Sequence, residues 1–147
     1  MSVLKHKIFS MKILMVSLLH ILVCMLMQLF PLLRVLKILN YSLHPSEDDL
    51  SECKIINCVN HYTKIILKSK FKNPTCLEAA LMLTFFMSRQ NIPTELCLGI
   101  AKSEGKLTAH AWLTFRGLLL VQQFQVDEFI QVFSTSNIRY NEVCRKF

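Results

Sequence analysis

Hydrophobic and polar positions divide the chain into an apolar N-terminal third, two helical segments and a run of short strands. From Ile13 to Phe30 no residue carries a formal charge, a stretch just long enough to span a bilayer. Within it Ser17, His20, Cys24 and Gln28 recur at three- and four-residue spacing, which predicts one narrow polar stripe on an otherwise apolar helix. Such a helix suits packing against protein, or lying in a membrane interface, at least as well as spanning. After Pro31 the pattern Leu32, Leu33, Val35, Leu36, Ile38, Leu39 predicts a second short helix ending around Asn40, before the turn-prone Ser42–Pro45 stretch. Ser46 with Asp49 reads as a capping box, and Glu47 and Asp48 suit the positive end of a helix running to about Lys68. Leu50, Cys53, Ile56, Val59, Tyr62 and Ile66 form its expected buried stripe, opposite the polar face of Lys54, Asn57, His61, Lys64 and Lys68.

Thr75 and Glu78 form a second Thr-x-x-Glu capping box, which makes Thr75 the N-cap and Cys76 the first residue of a helix reaching about Arg89. That helix is apolar nearly all round and is expected at the centre of the fold. Asn91-Ile92-Pro93 stops it. Glu95–Ala101, Thr108–Phe115 and Leu118–Phe124 then read as antiparallel strands, joined by turns at Ser103-Glu104-Gly105 and Arg116-Gly117. A terminal helix is expected over Val126–Phe133, with Asp127 and Glu128 as first-turn acids. The fold class is α+β: apolar N-terminal helices over residues 1–45, then a core of a central helix packed on a small antiparallel sheet over residues 46–147.

At 147 residues, 52% apolar and 18% charged, the chain suits one compact domain and is neither disordered nor low in complexity. The net charge of +7 raises the question of nucleic acid. Residues 1–50, 51–75 and 76–147 carry local excesses of two, four and one positive charges, and none is the dense patch that a nucleic-acid footprint needs. A secretory signal is not expected either, because no small-residue cleavage site follows the apolar stretch and the first Ala is Ala79. The six cysteines, Cys24, Cys53, Cys58, Cys76, Cys97 and Cys144, show no CxxC spacing, and most read as small hydrophobes. His20 with Cys24, or Cys58 with His61, supplies two ligands and not a metal site. The three Gly form no phosphate-binding loop, so any ATP dependence is expected to belong to partners, and no cofactor is expected in this chain.

Cys76 stands apart from the other cysteines. A thiol at the first position of a helix meets unsatisfied N–H groups and the positive dipole end, which favour the thiolate. His110, in the second strand, is the only His of the C-terminal half. A Cys at a helix tip, a His on a neighbouring strand and a third group on the next strand make a cysteine-protease arrangement. Taken singly, each residue fits a structural role equally well.

The run from Pro74 to Gln123 resembles the transglutaminase-like peptidase domain of lasso-peptide B proteins. The likeness rests on Cys76-Leu77 opening a long apolar helix, Arg89-Gln90-Asn91-Ile92-Pro93, Leu96–Ile100, His110-Ala111-Trp112 and the hairpin Gly117. The Leu-rich segment at 29–36 is similar to family members that lack a leader-recognition domain. The resemblance implies a papain/transglutaminase-like core in which Cys76 is the nucleophile and His110 the base of a peptidase. That peptidase would remove the leader from a lasso-peptide precursor in the bacterial cytoplasm. Its implied partners are the precursor peptide, a small leader-recognition protein and an asparagine-synthetase-like lasso cyclase. The family's third catalytic residue is an Asp twelve positions after the His, and here that position is Gln122. A Gln amide can orient an imidazole but offers no charge to imidazolium. The two-residue turn at Arg116-Gly117 places Gln123 directly opposite His110, and Asp127 and Glu128 are further candidates, although both read as first-turn acids. Alternatives are a non-catalytic component of the maturation complex, a membrane-anchored one through Ile13 to Phe30, or an isopeptide-forming transglutaminase.

Overall fold

The computed structural model describes residues 2–39, 52–69, 71–103, 105–120 and 128–136. Among these described residues four helices precede the sheet: α1 (Ser2–Leu29), α2 (Leu32–Ile38), α3 (Glu52–Ile66) and α4 (Cys76–Arg89). Strands β1 (Glu95–Ser103), β2 (Lys106–Phe115), β3 (Leu118–Leu119) and β4 (Ile130–Ser134) form one antiparallel sheet of order β3-β2-β1-β4. The expected α+β architecture is thus the observed one.

Helix α4 is the hub, touching α1 and α3 as well as β1 and β2. Leu81, Met82 and Met87 are fully buried, joined by Leu96 and Leu113 from the sheet. A helix without a polar face has to be enclosed in this way. Arg116 and Gly117 have φ of 50° and 80° and join Phe115 to Leu118. This two-residue turn with both central residues left-handed matches the right-handed twist of the strands.

The structure corrects two expectations. Residues Ile130–Ser134 are not helical; they form β4 and pair with β1, from Ile100↔Ile130 to Cys97↔Ser134. The outer backbone groups of β1 would otherwise lack partners, and an edge strand satisfies them. The side chain of Thr135 extends this tie by accepting the Leu96 N–H at 3.0 Å. In α3 the buried side is Ile55, Val59, Ile65 and Ile66, whereas Cys53 and Ile56 are exposed. Tyr62 stacks on Phe86 of α4 at 4.5 Å, and this contact helps set which side of α3 faces inward. The polar face of Lys54, Asn57, His61, Lys64 and Lys68 is exposed as expected. The Ser46–Asp49 capping box, Leu50, and the third strand beyond Leu120 lie outside the described residues.

Candidate active site

The start of α4 is built as the local sequence dictates. Thr75 Oγ1 accepts the Glu78 N–H at 3.3 Å, and Glu78 Oε2 accepts the Thr75 N–H at 2.8 Å. This reciprocal cap leaves Cys76 as the first helical residue, partly buried. Ala79 N–H is bonded to the Thr75 carbonyl at 2.9 Å. Cys76 and Leu77 carry the remaining first-turn N–H donors.

Cys76 and His110 line one cavity of about 210 Å³. Its other walls are largely apolar: Ile66 at the end of α3 and Leu67 just after it, Ala79 and Leu83 from α4, and Trp112 from β2. The two residues of the expected Cys–His arrangement, from separate elements, therefore meet the same space. The expected third member, Gln122, and the candidates Gln123 and Asp127 lie outside the described residues. Glu128 is exposed, just before β4.

His110 is held by its aromatic neighbours. Its ring stacks with Trp112 (6.4 Å between centroids, 18° between planes) and leans on Phe129 at 5.5 Å. Burial pushes the imidazole pKa below its ordinary value, so the neutral, proton-accepting form is favoured. Directly across the β1–β2 ladder is Gly99. A Cβ there would come within 2.6 Å of Trp112 Cη2 and 2.8 Å of Cζ3. Only glycine lets the Trp112 ring lie where it stacks on His110.

Behind Cys76 a second polar group closes on Glu78. Its Oε1 accepts from Lys72 Nζ at 2.8 Å and from the Cys24 thiol at 3.1 Å. Its Oε2 is 3.3 Å from His20 Nε2, and His20 Nδ1 is 3.0 Å from Ser69 Oγ. Both His20 contacts are satisfied when Nε2 carries the proton and Ser69 donates to Nδ1. Burial by itself would raise the Glu78 pKa. The donors Lys72, the Thr75 backbone, Cys24 and His20 outweigh it and hold the carboxyl well below the usual carboxylate range. The same pairing raises the pKa of Lys72. Two residues of the α1 polar stripe, His20 and Cys24, thus meet one carboxylate, while the buried Ser17 donates to the Ile13 carbonyl at 2.9 Å and Gln28 is exposed.

Among the described residues, His20, Cys24 and Glu78 also present ligand-type atoms within 4.8 Å of one another. The Lys72 ammonium already supplies the positive charge at that carboxylate, and four donors saturate it. Cys97, by contrast with Cys76, is 3% exposed, and burial pushes its thiol up, as befits a packing residue.

Sequence reasoning singled out Cys76 and His110 but missed Gly99, Phe129 and the second role of Glu78. A glycine inside an apolar strand was the available signal for the first. The polar stripe on α1 announced that something polar would face it, without saying what.

Among the described residues one helical stretch, Met11–Leu29, is long and apolar enough to cross a membrane, and 28% of it is buried against the rest of the protein. In a comparison with known families, residues 27–134 match the one described as the transglutaminase-like superfamily. Neither the curated proteins nor the solved structures provide a match.

Proposed function

The chain belongs to the transglutaminase-like superfamily, and from that premise we propose that it is a cysteine peptidase removing the leader from a lasso-peptide precursor. The observation that carries the reading is the shared cavity, to which α4 brings Cys76 and β2 brings His110. The finer assignment, to lasso-peptide maturation, rests on the sequence likeness between Pro74 and Gln123.

In this mechanism the neutral imidazole of His110 takes the proton from Cys76 Sγ as sulfur attacks the scissile carbonyl carbon. The carbonyl oxygen becomes an oxyanion, which the Cys76 and Leu77 N–H groups at the positive end of α4 are suited to stabilise. Collapse breaks the C–N bond, and His110 gives its proton to the leaving amine. His110 then takes a proton from water as its oxygen adds to the thioester, and collapse returns that proton to the departing sulfur. The acid product is the leader, and the released amine is the new N-terminus of the core peptide. We assign the role of orienting His110 to Gln122.

The apolar cavity walls suit an extended peptide whose side chains are uncharged next to the scissile bond. The reading includes a small leader-recognition protein, which would deliver the precursor, and an asparagine-synthetase-like cyclase, which would use the freed amine. The test incubates the full-length protein with precursor and recognition protein and follows the masses. Expected products are an intact leader and an intact core peptide. Unchanged precursor under conditions where the complex forms would favour the second reading, a non-catalytic component. Gln122, standing where the family has an acid, is the feature that supports that reading.

A further inference from the structure

Helix α1 is apolar on both its inner and its outer face, and much of its apolar surface is left uncovered by its own domain. Its polar residues Ser17 and His20 are 7% and 0% exposed, while Leu14, Met15, Leu18, Leu22, Met25 and Leu29 are each between 47% and 68% exposed. Leu14, Leu18, Leu22, Met25 and Leu29 recur every three or four residues, with Met15 beside them, and so form one continuous stripe, roughly 20 Å long at 1.5 Å per residue. The stripe holds only Leu and Met side chains, and an apolar surface this extended marks a site of contact. On α2, Leu33 and Ile38 add further exposed apolar surface.

The charge around the stripe indicates what covers it. The first 46 residues contain five Lys/Arg and no Asp or Glu. Lys12 at one end of the stripe, and Arg34 and Lys37 on α2, are exposed. An aliphatic stripe bordered by cations complements an anionic lipid surface. We propose that α1 lies flat in the interface of an anionic bilayer, with the Leu/Met stripe among the acyl chains and the rest of the protein above it.

The opposite face of α1 argues against crossing. Val16, His20 and Val23 are buried in the protein, and His20 and Cys24 are bonded to Glu78. A spanning α1 that kept these contacts would carry the Glu78–Lys72 ion pair into hydrocarbon, where charges are costly.

The experiment sediments the purified full-length protein with vesicles of phosphatidylcholine alone, or with about a quarter phosphatidylglycerol. Binding is expected to be stronger to the anionic vesicles, to weaken with added salt and to be released by alkaline carbonate. The double variant Leu18→Gln/Leu22→Gln, which alters only solvent-facing side chains, is expected to keep the circular dichroism of the wild type. It should lose about tenfold or more in vesicle affinity. Four results would overturn the proposal: no binding to either vesicle, binding unchanged in the variant, retention through carbonate, or a dimer in solution that the variant dissociates. The first two remove the lipid contact, the third means spanning, and the fourth gives the stripe to a second copy. No peptide enters the assay, so it stands or falls independently of cleavage.

Discussion

His20 of α1 and Glu78 of α4 are 58 positions apart in the chain and 3.3 Å apart in the fold. Glu78 also closes the cap that places Cys76, so the N-terminal helix and the nucleophile's helix share a single carboxylate.

Glu78→Gln tests that sharing. Glutamine can keep the reciprocal cap with Thr75, yet it gives up the charge that Lys72, Cys24 and His20 address. The folded protein should lose about 1.5–3 kcal/mol at neutral pH, the scale of hydrogen bonds to a charged group. Because the Glu78 pKa is lowered on folding, its contribution is present above its ordinary value of 4.5 and is lost as pH falls further. Denaturant melts of wild type and variant should therefore converge on acidification. Parallel curves would show that the carboxylate charge does not matter.

Replacing either member of the proposed pair should stop turnover. For Cys76→Ala and His110→Ala, cleavage of the precursor, followed by mass spectrometry, is expected to fall by about a thousandfold or more. Thermal melts should change little, since neither side chain is a large core residue. Wild-type rates in Cys76→Ala would exclude a covalent route through this sulfur.

The imidazole of His110 should titrate low. In Cys76→Ala, which removes coupling to the thiol, its NMR midpoint is expected below the ordinary value of 6.5. Burial penalises the charged form, so the folded state binds this proton less readily than the unfolded chain. The contribution to stability is accordingly lost as pH falls below about 6.5. A midpoint above that value would mean that an acid, and not aromatic burial, dominates the surroundings of the ring.

At Gly99 the expected fault is steric. In Gly99→Ala the new methyl group collides with Trp112, which must swing away from His110. Overpacking of this kind costs about 1–3 kcal/mol, and misplacing the base should lower kcat/KM about tenfold or more. Trp112 is the single tryptophan, so its fluorescence reports the displacement directly. An unchanged spectrum together with reduced activity would separate the glycine from the ring.

These expectations draw unequally on what the sequence made legible. Local features could be read directly: the Thr75–Glu78 cap needs four consecutive residues, and the Arg116-Gly117 turn needs two. The Cys76 and His110 candidates followed, because a helix start and a strand position are themselves local. Nothing local could pair His20 with Glu78, since each has an ordinary explanation alone, as a stripe residue and as a cap. For β4, Val126, Ile130 and Phe133 fit a helical period as well as Ile130–Ser134 fits a strand, and the open edge of β1 decided between them. Cys53 and Ile56 failed as buried positions because α3 turns a different side to α4, where Tyr62 stacks on Phe86.

The doubly used carboxylate also bears on how this chain can evolve. Position 78 answers to Thr75 beside it, to Lys72 just upstream and to two residues on a helix more than fifty positions away. A change at any one of them leaves the others with an unmatched donor or charge. Relatives are therefore expected to vary positions 20, 24, 72 and 78 together, and an apolar residue at 78 should travel with an α1 that has lost its inward His and Cys.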